Sequence, residues 1–192
     1  FSSTVLAQAW QPFRVEHVYH FGPNADFSPL GIEIDSFQVE GSDTVFFLNR
    51  FVMPCDTCDH LELPWDSDCY EPPCFFHLNA PTMLQRQFSR QPGGRWRFSD
   101  PYNLVLNPRA MVGDTFLADT ARNLTAVAVS MEQRTMLGQT DSVKTFVFSN
   151  GDSLMWGKRL GIVGMKTWWY GDDKFVKSNL DLVGLRTPTQ KW

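Results

Sequence analysis

A repeated pattern of short apolar runs separated by turn residues constrains the fold of this chain more than any other feature. The clearest example is SVKTFVFSNGDSLMWGKRL, in which Asn150-Gly151 lies between two such runs. Asn-Gly favours the two positive φ angles of a type I′ turn, so we predict a β-hairpin here. The side chains of the first run alternate between two faces, with Val143, Thr145 and Val147 on one and Lys144, Phe146 and Phe148 on the other.

Comparable runs occupy most of the remaining chain. GIEIDSFQVE (residues 31–40) and TVFFLNRFV (residues 44–52) flank a short connection that contains glycine, as hairpins do. No segment shows a sustained helical period with capping residues, and helix would be confined to short pieces near residues 81–88 or 115–122. Further strands are predicted at RVEHVYHF, RWRFSD, YNLVLNP, LTAVAVSM, GIVGMKTWWYGDDKF and NLDLVGL. We therefore predict an all-β fold, either an antiparallel β-sandwich or a multi-strand sheet.

All four cysteines lie in a loop at residues 53–77 that is rich in proline and aspartate. Two short-spaced pairs of thiolates could bind zinc, although the second pair is wider than is typical. Nearby acidic residues disfavour a reactive thiolate. In an exported chain, an even number of cysteines in such a loop is explained most simply by two disulfides. We predict a disulfide-stapled loop, with a zinc site or free thiols as alternatives, formed by Cys55, Cys58, Cys69 and Cys74.

The length of 192 residues suits one β-rich domain, which we place at residues 10–192 and expect to be part of a longer protein. Ala7-Gln8-Ala9 is typical of a signal-peptidase site, so residues 1–9 are interpreted as a signal-peptide remnant or an N-terminal arm. The net charge of −4 and the lack of a basic stripe argue against nucleic acid as a partner. No apolar run approaches the roughly 18 to 20 residues of a transmembrane segment.

The second half of the chain resembles a family of exported bacterial proteins. NPRAMVGDTF, AVAVSMEQRTMLGQTDSVKTFVFSNGDSL, GKRLGIVGMKTWW and LDLVGL occur in an order similar to that of Bacteroidota proteins delivered by the type IX secretion system. The resemblance covers roughly residues 104–185, with a looser match at residues 32–52. The matching positions are Asn107-Pro108, Gly113 to Thr115, Leu137-Gly138, Thr140 to Thr145, Gly161-Ile162 and Leu182 to Gly184.

The resemblance implies export rather than a chemical activity. It implies secretion or display on the outer face of the outer membrane, with other surface or secretion-system proteins, and glycans, as partners. It also implies O-glycosylation where Asp-Ser or Asp-Thr precedes an apolar residue; the alternative is that these pairs open turns through local hydrogen bonds. The residues that fit are Thr44, Thr120, Ser142 and Ser153.

The sequence indicates binding rather than catalysis. It has no motif of a zinc protease, a nucleophile elbow, a phosphate-binding loop or an EF-hand, and we predict no catalytic residue and no cofactor. Most of the tryptophans are expected in the core, but Trp96, Trp168 and Trp169 are candidates for an aromatic binding patch. We predict a non-catalytic structural or binding module at the cell surface, with a secreted hydrolase and a zinc-stabilised interaction domain as alternatives.

Overall fold

The computed structural model describes residues 10–22, 30–41, 43–52, 76–77, 84, 86–99, 103–171 and 174–189. Within these residues the chain is all-β, as predicted, and no helix is long and apolar enough to cross a membrane. The first strands are β1 (Val18–Gly22), β2 (Leu30–Glu40), β3 (Asp43–Val52), β4 (Phe76–His77), β5 (Gln87–Arg90), β6 (Trp96–Ser99) and β7 (Leu104–Leu106). The remaining strands are β8 (Thr115–Asp119), β9 (Leu124–Met136), β10 (Gln139–Phe148), β11 (Ser153–Gly157), β12 (Gly161–Gly171) and β13 (Lys174–Arg186). A short 3-10 helix, Pro92–Gly94, connects β5 to β6.

All the described strands belong to one antiparallel sheet. Their order is β7-β6-β5-β3-β2-β1-β13-β12-β11-β10-β9-β8, and β4 is attached to β3. The two end strands, β7 and β8, contact each other without a described hydrogen-bonded ladder, so the sheet is nearly closed into a barrel. The predicted multi-strand sheet is confirmed and the β-sandwich is wrong, because a single curved sheet buries its inner face against itself.

The sheet consists of two meanders joined along one ladder. The first meander, β1 to β7, and the second meander, β8 to β13, each pair strands that are close in sequence. The ladder between β1 and β13 joins them and extends from Val18 opposite Arg186 to Gly22 opposite Asp181. Residues 107–114 connect the meanders at the other edge, where β7 and β8 meet.

The hairpin predicted at Asn150-Gly151 is present between β10 and β11, but its turn is not type I′. Of these two residues only Gly151 has a positive φ, at 80°. The N–H of Gly151 donates to the carbonyl of Phe148, and the N–H of Phe148 donates to the carbonyl of Asp152. The Asn150 amide also donates to the Asp152 carboxylate at 2.8 Å. The polar side chains of residues 149–152 therefore stabilise a longer loop than the dipeptide alone predicts.

In three other segments the observed secondary structure differs from the predicted one or extends it. The strand expected at residues 14–21 begins only at Val18, because residues 14–17 form a turn in which Glu16 has a φ of 65°. Residues 115–122, one of the two places where the sequence allows a short helix, form β8 and the turn that follows it. LTAVAVSM is a strand as predicted and continues to Met136 as β9.

Large apolar side chains fill the inside of the barrel. On β10, Phe146 and Phe148 are buried while Val147 is 38% exposed, as the predicted alternation of faces requires, but Val143, predicted on the same face as Val147, is also fully buried. Phe146 packs against Trp156 of β11, with 6.5 Å between the ring centroids. Burying a side chain of this size contributes roughly 1.5–3 kcal/mol. The packed interior is therefore a main source of stability.

Residues 10–14, which we call the N-terminal segment, pack into the barrel beside β1 and β12. Phe13 is fully buried, and its ring lies 5.0 Å from that of Tyr19 in an edge-on contact. Gly161, at the start of β12, has a φ of 84°, and a Cβ there would collide with the carbonyl oxygen of Pro12. The chain therefore needs glycine at this position for the N-terminal segment to pack.

A buried cation, Lys144 of β10, holds the connection between the meanders in place. Its Nζ donates hydrogen bonds to the carbonyl oxygens of Pro108 and Ala110, both at 2.6 Å. It also lies 5.0 Å from the centroid of the Trp10 ring, where a cation is attracted to the aromatic face. Lys144 thus joins residues 107–114 and the N-terminal segment at the one place where the described sheet lacks a ladder.

Candidate functional site

A groove of about 510 Å³ opens beside the N-terminal segment, and we call it the basic groove. Its volume lies within the roughly 300–1,000 Å³ of typical small-molecule sites. Four separate parts of the chain form its walls: Arg14, His17 and Tyr19; Gln139; Arg159 and Leu160; and Leu185, Thr187, Pro188 and Thr189. The curvature of the barrel brings these distant parts together.

Two arginines that are far apart in the sequence meet in the basic groove. Nη2 of Arg14 donates to the backbone carbonyl of Arg159 at 2.7 Å. Arg159 donates from its own Nη2 to the carbonyl of Thr140, and 63% of its side chain is exposed. Backbone acceptors of neighbouring segments therefore hold both guanidinium groups.

Asp141 of β10 holds the turn that carries Arg159. Its carboxylate is buried, and its Oδ2 accepts the backbone N–H groups of Arg159 and Leu160, both at 2.8 Å. Its Oδ1 accepts the N–H of Ser142 and lies 3.6 Å from Nε of Arg159. One carboxylate near the tip of the β9–β10 hairpin thus fixes the β11–β12 turn.

The charge of the basic groove differs in sign from that of the whole chain. The chain has a net charge of −4, whereas the described residues lining the groove include two arginines and no acidic residue. Asp141 lies beneath the groove, but it is only 2% exposed and accepts backbone N–H groups. The groove is therefore a local positive surface that attracts anions.

Tyr19 lies at the base of the basic groove. Its hydroxyl accepts a hydrogen bond from the backbone N–H of Arg14 at 3.2 Å. The ring of His17 stacks beside it, with 6.4 Å between the centroids. Burial raises the pKa of Tyr19 to about 12, although the backbone N–H and the charge of Arg14 act in the opposite direction.

The raised pKa of Tyr19 predicts a loss of stability at alkaline pH. Below pH 10 the phenol is neutral in both the folded and the unfolded chain, and its contribution is fully present. Between pH 10 and about 12 the unfolded chain ionises first, so the free energy of unfolding falls as the pH rises. We expect Tyr19→Phe to lose less stability than the wild type over this interval in urea titrations. Equal pH dependence of the two proteins would contradict the prediction.

A second cavity, of about 370 Å³, is lined by residues of the β9–β10 hairpin tip and of β11 to β13. It contains one arginine, Arg134, which forms an ion pair with Glu132 and lies 3.0 Å from the sulfur of Met155. Asp181 brings a negative charge to the same lining. The second cavity therefore lacks the excess of positive charge of the basic groove, and its residues provide matched controls.

The structure tests part of the predicted aromatic patch and leaves the predicted cysteine sites untested. The four cysteines lie outside the described residues, so the disulfides and the alternative zinc site stay predictions. Trp96 is only 4% exposed and packs against Phe88 with 5.7 Å between the rings, so it belongs to the core and not to an exposed patch. Trp168 and Trp169 lie on β12 opposite Lys177 and Val176, and their side chains are outside the described part of the structure.

The four residues predicted to carry O-glycans lie at strands and a turn. Thr44 is in β3, Thr120 is in the turn after β8, Ser142 is in β10 and Ser153 is in β11. Of these four, Thr120 is the exposed one among the described side chains. Glycosylation stays a prediction at each of them.

The aspartates that precede three of these residues have structural roles. Asp119, Asp141 and Asp152 are buried. Asp119 accepts the backbone N–H of Arg122 at 3.0 Å and forms an ion pair with its guanidinium at 2.7 Å. Burial alone would raise the pKa of Asp119, but the hydrogen bonds and the charge of Arg122 outweigh burial and lower it. The turn-forming role considered for Asp-Ser and Asp-Thr is thus present in the fold.

Sequence reasoning did not find the basic groove. Its two arginines are separated by most of the chain, and the pairing of β1 with β13 and of β13 with β12 brings them together. The available signal was Lys158-Arg159, a pair of basic residues in a turn between two apolar strands. Such a pair is usually a solvated turn, so it did not distinguish a site.

The described residues contain no group of three or more His, Cys, Asp or Glu side chains that could hold a metal ion. No family model and no curated protein matches the chain. A solved structure from Parabacteroides distasonis, described as a candidate lipoprotein, is similar, with a TM-score of 0.49 and 10% sequence identity. The match covers 93% of this chain and 99% of that chain. The likeness concerns the course of the chain, and we take no function from it.

Proposed function

We propose that this chain is a non-catalytic binding module of an exported bacterial protein and that the basic groove holds its ligand. The observation that supports the proposal is the convergence of four parts of the chain on one groove whose arginines are held by neighbouring carbonyls. Groups that are positioned before binding lose less entropy when the ligand arrives, which favours affinity.

The groups of the basic groove are suited to recognition. The guanidinium group presents its N–H donors in a planar fork, so Arg14 and Arg159 can bind and orient a ligand. The pKa of Tyr19, at about 12, keeps its phenol neutral near pH 7. An acid or base catalyst works best with a pKa near the working pH, so the phenol of Tyr19 is suited to hydrogen bonding rather than to proton transfer.

The location outside the cytosol is part of the proposal and rests on the sequence. Ala7-Gln8-Ala9 is typical of a cleaved export signal. The resemblance at residues 104–185 favours delivery by the type IX secretion system to the cell surface. Other surface proteins or glycans are then the expected partners.

A ligand screen by thermal unfolding tests the binding function. We expect at least one member of a panel of neutral sugars, sugar acids, sugar phosphates, amino acids and short peptides to raise the melting temperature in a concentration-dependent manner. A ligand present at about 100 times its Kd adds about 2.7 kcal/mol to the free energy of unfolding, which corresponds to several degrees for a domain of this size.

A matched pair of variants shows whether the basic groove is responsible. Thr189 lines the groove and Thr135 lines the second cavity, and each threonine hydroxyl contacts that of another threonine. Thr189→Trp should abolish the stabilisation by obstructing the groove, whereas Thr135→Trp should retain it. A panel without any stabilising member, or stabilisation that survives in Thr189→Trp, would contradict the proposed function.

A further inference from the structure

We infer that the ligand of the basic groove is a small organic anion whose carboxylate or phosphate group binds between Arg14 and Arg159. This inference rests on the proposed function and names the chemical class of the ligand. The guanidinium group presents several N–H donors in a planar fork that matches the oxygens of a carboxylate or a phosphate. Two such groups on one groove therefore favour an oxyanion.

The first argument is the position of the two guanidinium groups. Arg14 is held by the carbonyl of Arg159, and Arg159 is held by the carbonyl of Thr140. Both acceptors are neutral backbone groups, so these hydrogen bonds orient the arginines without cancelling their charge. The exposed fraction of the Arg159 side chain, 63%, leaves it accessible to a ligand.

The second argument is the balance of charge around the groove. Asp141 offsets part of the charge of Arg159, because its Oδ1 lies 3.6 Å from Nε. Its other oxygen accepts the N–H groups of Arg159 and Leu160, and the carboxylate is buried below the groove. Arg14 adds a second positive charge, and no acidic residue is among the described lining. An excess of positive charge therefore faces the open volume of the basic groove.

The third argument is the size and the remaining lining of the groove. A volume of about 510 Å³ is much larger than a single inorganic ion requires, so the anion should be attached to a larger body. Leu160, Leu185 and Pro188 offer apolar surface for that body. Gln139 and the threonine hydroxyls provide groups that can hydrogen-bond to it. A ring-shaped acid, such as a sugar acid or a sugar phosphate, has this combination.

Titration calorimetry with matched probes tests the inference. Glucuronate, glucose 6-phosphate and benzoate are compared with the neutral glucose and benzamide, and with inorganic phosphate. We expect at least one organic anion to bind at least about 10-fold more tightly than its neutral partner, because a charge-assisted hydrogen bond contributes more than a neutral one. Affinity for the anion should fall with rising ionic strength. The three anions distinguish a carboxylate from a phosphate and a sugar body from an aromatic one.

Arginine variants locate the anion. Arg159→Gln and Arg14→Gln should each weaken binding of the anion about 10-fold or more. Arg14→Lys, which keeps the charge but not the planar fork, should weaken it less than Arg14→Gln. Arg134→Gln in the second cavity is the matched control and should bind as the wild type does. Circular dichroism and the unfolding midpoint show whether each variant is folded.

The outcomes separate this inference from the proposed function. If neutral probes bind as tightly as the anions and Thr189→Trp abolishes their binding, the inferred requirement for an anionic ligand is wrong, and the proposed binding function stands. If anions bind equally to Arg159→Gln, Arg14→Gln and the wild type, the inferred position of the anion is wrong. If no organic anion binds in a manner that Thr189→Trp blocks, the inference is contradicted. If, in addition, no member of the thermal-unfolding panel stabilises the protein in that manner, the proposed function is contradicted as well.

Discussion

Replacing Lys144 by alanine should lower the free energy of unfolding by about 3–4 kcal/mol. The substitution removes the donor that satisfies the carbonyls of Pro108 and Ala110 and leaves a cavity under residues 107–114. It also removes the cation near the Trp10 ring. Burial lowers the pKa of Lys144, and the charge of Asp114 acts in the opposite direction. Urea denaturation at neutral pH measures the effect.

Two controls separate the parts of the Lys144 effect. Lys144→Met keeps most of the volume and loses the hydrogen bonds, so it should cost less than Lys144→Ala but still about 1–3 kcal/mol. Lys166 of β12 is exposed, and Lys166→Ala should stay within about 0.5 kcal/mol of the wild type. If Lys144→Ala were as mild as Lys166→Ala, Lys144 would not hold the connection between the meanders.

Replacing Asp141 by alanine should lower the free energy of unfolding by about 2–4 kcal/mol. The buried N–H of Leu160 and the N–H of Arg159 would lose the carboxylate oxygen that accepts them, each at 2.8 Å. The β9–β10 hairpin tip would also lose its attachment to the β11–β12 turn. Chemical denaturation measures the stability, and amide hydrogen exchange at Leu160 reports the local change.

Variants of the same kind test whether the loss is specific to Asp141. Asp141→Asn keeps one acceptor oxygen for the N–H groups of Arg159 and Leu160 and loses the oxygen that accepts the N–H of Ser142, so it should cost less than Asp141→Ala. Asp35 of β2 is exposed and accepts a hydrogen bond from the Ser36 hydroxyl, so Asp35→Ala should be within about 0.5 kcal/mol of the wild type. Faster exchange at Leu160 in Asp35→Ala as well would show that the effect does not come from the carboxylate of Asp141.

Local sequence patterns predicted the strands well and the architecture only in part. Alternation placed Phe146 and Phe148 on a common face, which the structure buries, and the all-β class followed from many such runs. The choice between a sandwich and one nearly closed sheet depends on the pairing of strands that are far apart in the sequence, above all β1 with β13. That pairing joins opposite ends of the described chain, and short-range patterns carry no information about it.

The site was harder to predict than the fold, and Lys144 and Asp141 show why. By alternation Lys144 shares a face with Phe146, but the pattern did not identify its acceptors on residues 107–114. Asp141 was seen as part of a pattern that opens a turn, yet it holds a different turn through Arg159 and Leu160. In both cases the partners come from elsewhere in the chain, so spacing alone does not reveal them.

The division of the sheet into two meanders has a consequence for how the chain folds. Nearly all of the described strand pairing lies within either meander, where contacts are local and the entropic cost of loop closure is small. The ladder of β1 with β13 is the long-range exception. We therefore expect each half to acquire its pairing separately and their docking along that ladder to be the slow event in folding, because rates fall as contacts become less local.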